Sequence, residues 1–272
     1  SCARRYGLIA RRSAEPARGT ALALLGMGLA SASAPFLGVW LKGVDPALPF
    51  VLSGVSLALV SLGLMAWEPS REPSVAAPQT HAQASSAWRL VALLGVLACL
   101  GAAVQLHVFV NSAPLYKSVT DAASLPWLMP VFWVGFSLAV YPGARLIERH
   151  GAGHVLAVAA LAGTAAMAAL LTGPALAPLL ALQGVLGAAW GATFLACLML
   201  AGHLGHVGRE ARLVGALFAC LAVVTAGRIG LGLVGLAQPA ATLPVAAVLW
   251  ALGTLLALAW RLRRATEPVT PR

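Results

Sequence analysis

Long apolar runs recur along the chain, separated by short polar breaks. About eight of them, at 20–40, 48–67, 88–110, 125–143, 154–172, 176–201, 213–236 and 243–260, are rich in Ala, Leu, Val and Gly and almost free of charge, and each approaches the roughly 20 residues that a helix needs to cross a bilayer. The runs are apolar all round rather than on one stripe. A helix of that kind lies inside a large protein or in lipid, and so many in succession would leave nothing polar to cover them in water. The breaks carry helix-stopping chemistry: Asp45-Pro46 with Pro49, Pro114, Pro126, Gly173-Pro174 and Pro239. The pattern predicts an all-α, polytopic membrane helical bundle of about eight transmembrane helices.

Composition agrees with that pattern and removes its competitors. The 272 residues are 60% hydrophobic and 10% charged, against about 45–50% and about 25% in a soluble domain. Cys2, Cys99, Cys197 and Cys220 are scattered, three of them within apolar runs, so they read as packing residues rather than a disulfide framework or metal site. The net charge of +10 raises the question of a nucleic-acid partner, and the positions of the bases answer it. With the first segment placed inside, fifteen of the eighteen Lys and Arg residues fall on one side of the membrane; Lys42 and Lys117 fall on the other and Arg228 within a span. That is the asymmetry of cytoplasmic connectors, and attraction to anionic headgroups favours the same placement. It predicts an integral protein of the cell (inner) membrane with both ends of this chain cytoplasmic, and no nucleic-acid partner.

The polar stretch near the middle, rich in Pro, Ser, Ala and Gln, reads as an interdomain linker. The division is residues 1–68, two spans closing an N-terminal helical bundle; 69–87, a cytoplasmic linker; 88–264, a six-helix bundle; and 265–272, a cytoplasmic tail. Residues 1–19 look like a basic connector entered midway rather than a signal sequence, and further helices of the same protein are expected ahead of them.

Two local motifs add to this arrangement. Residues 144–151, Ala-Arg-Leu-Ile-Glu-Arg-His-Gly, resemble the cytoplasmic G-x-L-x-D-R-x-G loop of the major facilitator superfamily, matching at Leu146, Arg149 and Gly151, with Glu148 for Asp and Ala144 for the first Gly. Residues 30–38, Ala-Ser-Ala-Ser-Ala-Pro-Phe-Leu-Gly, are similar to the G-x-x-x-G-P-x-x-G pattern in the fifth helix of many exporters of that superfamily, with Ala30 and Ala34 in place of Gly while Pro35 and Gly38 stand. Two spans, a linker and six spans then correspond to the last eight of twelve helices. The resemblance implies a secondary active transporter that moves a small solute by alternating access, with export favoured. It also implies that Glu148, Arg149 and Gly151 belong to a cytoplasmic gating loop. From the residues alone, Arg149 and a carboxylate near helix ends can form charge-assisted contacts, and Gly151 permits a tight reversal; an ordinary basic turn is the other reading. Pro35 and Gly38 suit a bent, closely packed helix, as do Gly187 and Gly191 at GxxxG spacing.

Polar groups within spans are costly and mark functional positions. Arg228 leads them, about eight residues or roughly 12 Å from the end of its run. The eight acids, Glu15, Asp45, Glu68, Glu72, Asp121, Glu148, Glu210 and Glu267, all lie in connectors or at run ends. Arg228 is therefore read either as a cavity residue for an anionic group, sharing a helical face with Thr225, Gly232 and Gly235, or as an arginine reaching the headgroups. His107 and Asn111 share a face at i, i+4 while Gln105 points elsewhere, and Gln183 and Trp190 stand at i, i+7. With Arg228 these five residues are the candidate substrate pathway, and His107 also suits a coupling proton. His150, His154, His203 and His206 lack partners for a metal site and read as loop residues. No phosphate-cradling Gly-rich Lys-Ser/Thr sequence, cofactor motif or convergent catalytic set is present, so an enzyme is not expected; a membrane-embedded enzyme and a non-transporting scaffold are the alternatives. The expected partners are the bilayer, a small-molecule substrate and, with coupling, protons.

Overall fold

The computed structural model describes residues 2–67, 87–205 and 210–266, and among these the chain is helical with no strand. The elements are α1 (Cys2–Val44), α2 (Leu48–Trp67), α3 (Ala87–Leu106), a π-helical turn (His107–Asn111), α4 (Ser112–Lys117), a 3₁₀ turn (Ala122–Ser124), α5 (Leu125–Leu128), α6 (Val131–His150), α7 (Ala152–Leu170), α8 (Leu176–Gly205), α9 (Glu210–Leu233) and α10 (Pro239–Thr266). Seven segments are long and apolar enough to cross a membrane: Ala17–Val44, Trp88–Lys117, Ala122–His150, Ala152–Leu170, Leu176–Leu204, Arg212–Leu233 and Pro239–Leu262. The protein is an all-α polytopic helical bundle. Helices suit this solvent because each satisfies its backbone donors and acceptors internally, which hydrocarbon cannot do for them.

Two expectations are corrected. Of the eight apolar runs, the second forms α2 over the expected 20 residues Leu48–Trp67. The third does not stop at Pro114: the π-turn carries the helix on through α4, with the Ser112 N–H bonded to the His107 carbonyl. A π-turn shifts the hydrogen-bond register by one residue, so the chain continues past a proline that has no N–H to donate. The seventh ends at Leu233 rather than 236, and Gly235 lies beyond the helix with φ +73°. The expected linker lies almost wholly outside the described residues, as does most of the tail.

The enclosed part of the bundle is built on α8, against which α6 and α7 pack, while α3 pairs with α10 and α9 covers α3 and α8. Between α6 and α8 the backbones nearly touch. A Cβ at Gly187 would overlap the Phe132 carbonyl, one at Gly135 would overlap the Gly184 carbonyl, and one at Gly191 would stand 2.8 Å from the Phe136 carbonyl. Phe136, Leu186, Phe194 and Leu195 fill the space around these crossings and are fully buried. The α7/α10 seam uses a similar device with a polar clasp: Trp250 covers Gly163, its Nε1–H donates to the Ala160 carbonyl at 3.0 Å, and Thr164 and Thr254 share a hydrogen bond of 2.8 Å. At the periphery, α1 lies along α6, with Gly28 against Ser137 and Phe136, and α2 packs on α1 with most of its surface exposed.

Pro35 and Gly38 do not make a close crossing. Helix α1 runs unbroken through Pro35, and nothing stands within 4 Å of a Cβ added at Gly38; Gly28, ten residues earlier, is the point of contact. Gly187→Ala is expected to lower unfolding stability in detergent by about 1–3 kcal/mol through overpacking. Gly38→Ala should change it by less than about 1 kcal/mol, with a small gain from helix propensity. Thermal melts of the two purified variants beside the wild type check the contrast, and equal losses would contradict the packing assigned to Gly187.

Candidate functional site

Successive spans run in opposite directions, so Arg228 and the segment 105–111 meet near the end of the bundle opposite to Glu148. There α3 and α9 pack together, and their polar side chains join in a chain of contacts. The Arg228 Nε–H donates to Gln105 Oε1 at 3.0 Å, the Gln105 amide donates to Thr225 Oγ1 at 2.9 Å, and the Thr225 hydroxyl donates to the Leu221 carbonyl at 2.9 Å. The Phe109 ring lies 4.7 Å from the guanidinium carbon, an attractive arrangement of a cation on an aromatic face. One edge and one face of the guanidinium are thus held by the protein. Its Nη groups make no hydrogen bond among the described residues.

An open pocket of about 460 Å³ adjoins this arginine, lined by Phe109, Val110, Arg228, Ile229, Gly232 and Leu233, and by Ala237 and Pro239 from the connection into α10. Because α9 ends at Leu233, Arg228 is five residues, or roughly 8 Å, from the helix end. It is shallower than the apolar run alone indicates. The pocket exists because Gly232 carries no side chain and Gly235 turns the backbone in the left-handed region, bringing Ala237 and Pro239 back beside α9.

His107, Asn111 and Gln183 form a separate interior group, each about 1% exposed. Gln183 Oε1 is 2.9 Å from His107 Nε2, the Gln183 amide nitrogen is 3.5 Å from Ser112 Oγ, and the Ser112 hydroxyl donates to the His107 carbonyl at 3.0 Å. With the amide nitrogen toward Ser112, Gln183 offers only an acceptor to the imidazole. His107 Nε2 then carries the proton and Nδ1 is a bare acceptor, without a partner among the described residues. Asn111 meets the Thr242 hydroxyl at 2.6 Å, and that hydroxyl also faces the Gln238 carbonyl at 2.9 Å. A hydroxyl has one proton for two acceptors; turning the Asn111 amide gives each contact its own proton and leaves Asn111 Oδ1 as the unmet atom.

The six pathway candidates therefore divide. Arg228 lines the open pocket and Gln105 is bonded to it; His107, Asn111 and Gln183 are buried in the interior. Trp190 lines neither. It is about 5% exposed and stacked on Phe194 at 5.5 Å and 7°, because its turn of α8 faces the packed core. In the loop motif, Glu148 pairs not with Arg149 but with Arg18 of α1, through Nε at 3.1 Å and Nη2 at 3.3 Å, while Arg149 is exposed without an ion pair among the described residues. Gly151 adopts φ +81° and joins α6 to α7 in a single residue. His150 and His154 lie on the flanking helices with rings 5.7 Å apart, and His203 is in the last turn of α8 rather than a loop; His206 is outside the described residues. No group of three metal-ligating side chains occurs among the described residues.

Phe109, Ser112, Thr242 and Arg18 escape a reading of the sequence. Phe109 had a usable signal, since it follows Gln105 at i+4 and so shares its side of the helix. Arg18 had none, being 130 positions from its partner. Comparison with protein-family models gives no match, and a search of curated proteins finds none that matches.

Gln183→Leu removes the partner of a buried imidazole and is expected to cost about 1–3 kcal/mol. The double variant His107→Leu with Gln183→Leu should cost less than the two single losses added together, since no orphaned donor then remains. Chemical or thermal unfolding of the three variants measures the coupling; strict additivity would contradict the assigned pair.

Proposed function

We propose that this chain belongs to a secondary active transporter of the major facilitator type, moving a small anionic solute through a bilayer by alternating access. The observation that carries the reading is the Arg228 cluster: a cation within a membrane span, positioned by Gln105, Thr225 and Phe109, with its Nη groups turned to no protein partner among the described residues and a pocket beside it. Intramembrane charge held in this way is a default sign of a substrate or ion path.

The opposite end supports the same reading. In this scheme α1 and α2 belong to one half and α3 to α10 to the other, and Arg18–Glu148 joins the halves where the loop motif stands. The pair is well exposed, with 53% of the Arg18 side chain and 23% of the Glu148 side chain accessible, so it suits a latch that opens and recloses rather than a permanent brace. Among the described residues Arg18, Arg145 and Arg149 stand at that end with Glu148, and the positive-inside rule supports reading it as the cytoplasmic side of the cell (inner) membrane. Export is the direction favoured by the 30–38 pattern. Protons are the candidate coupling ion, with the bare His107 Nδ1 the interior position for one.

Counterflow in proteoliposomes tests the reading. Vesicles loaded with a panel of small organic anions are expected to accumulate at least one of them in labelled form, and Arg228→Gln should reduce that uptake by about tenfold or more, the scale of losing one charge-assisted contact. Folded protein that gives no counterflow with any anion would favour a scaffold instead.

A further inference from the structure

We infer that the Arg228 pocket selects amphipathic anions: a carboxylate or phosphate head held by the free Nη edge, with an apolar body lying along the pocket wall. The inference rests on the transporter reading for its purpose, but the binding chemistry is decided by the site. A guanidinium presents donors along two edges and attracts rings on its faces. Gln105 occupies Nε and Phe109 covers one face. What is left without a protein partner among the described residues is the planar pair of Nη groups, whose parallel N–H bonds match two oxygens of one carboxylate or phosphate.

The rest of the wall sets the remainder of the ligand. Val110, Ile229, Leu233, Ala237 and Pro239 offer no polar side chain, and among the described residues Arg228 is the sole charged group lining the pocket. A dianion would bring one charge more than the site neutralises into a low-dielectric surround, where an unpaired charge is expensive. A small, fully hydrophilic anion would give up its water for a wall whose side chains, Arg228 apart, carry no hydrogen-bonding group. One negative head on a hydrocarbon body satisfies both halves of the site. The arginine also lies only roughly 8 Å from the helix end, within reach of molecules that partition into the adjoining leaflet. The same chemistry is met by a free amphiphile such as a medium-chain carboxylate and by the phosphate of an anionic phospholipid.

The test uses the full chain in phosphatidylcholine nanodiscs, titrated calorimetrically with octanoate and with octanol, each corrected for uptake by empty nanodiscs. Octanoate should bind saturably and about tenfold or more tightly than octanol, one charge-assisted contact being worth about that factor. Arg228→Gln should bring octanoate to the level of octanol, and Arg228→Lys, which keeps the charge without the planar fork, should fall between. Replacing part of the phosphatidylcholine with phosphatidylglycerol identifies the source: competition with octanoate assigns the site to a lipid phosphate, and its absence assigns it to a free amphiphile. Equal binding of octanoate and octanol by the wild type, or an undiminished preference in Arg228→Gln, overturns the inference. The wild-type comparison needs no variant to fold. Counterflow of other anions without octanoate preference would sink this inference and leave transport standing; octanoate preference without counterflow of any anion would do the reverse.

Discussion

Helices in hydrocarbon gain little by pressing leucine against leucine, because lipid tails are equally good neighbours. What holds them together is close approach of backbones, with the dispersion contacts that dense packing allows. In this protein that approach is made at the α6/α8 crossing, where Gly135, Gly187 and Gly191 let carbonyls of the facing helix come nearly into contact. The remaining arrangement is referred to that crossing. Helix α7 lies on α8 and carries the Trp250 clasp to α10, α10 sits on α3, and α3 supports α9.

The polar side chains inside the spans follow from a second constraint: whatever is withdrawn from water needs a partner of its own. Around the π-turn, one interior cluster satisfies most of its donors and acceptors, leaving His107 Nδ1 and one Asn111 amide atom unmet. The π-turn contributes directly, since the shifted backbone register gives Ser112 access to the His107 carbonyl. At the other cluster Arg228 is positioned by three side chains, none of which carries a negative charge. Gln105 and Phe109 thus stabilise the cation without neutralising it.

Ion pairing is handled differently at the two ends of the bundle. Arg18 and Glu148 meet in an accessible setting where water and salt weaken the attraction, so separation of α1 from α6 there is not opposed by desolvated charge. Gly28 against Ser137 and Phe136 provides the matching contact further along the same seam. The same seam also buries Ala17, Ala21 and Leu24 and packs Phe36 against Trp127 at 4.9 Å, so apolar packing and not charge carries most of the contact between α1 and the enclosed bundle.

The all-helical architecture was legible in the sequence, as were most span positions, the isolation of Arg228 and the reversal at Gly151, because each follows from local chemistry: uninterrupted apolar length, a charge where none belongs, and a glycine free to take positive φ. Pro114 misled because a π-turn is a matter of hydrogen-bond register, which composition does not encode. Trp190 and Gln183 show the limit most clearly. Seven positions apart on one helix, they share a face by spacing, yet one stacks in the core and the other joins His107, since the neighbours of each depend on which helix crosses α8 at that height. The sequence by itself determined that this chain is a set of membrane helices with one unpaired intramembrane cation. Only the tertiary structure decided that Gln105, Thr225 and Phe109 hold that cation, and that Arg18 is the partner of Glu148, because contacts between helices are set by packing across more than a hundred residues of intervening chain.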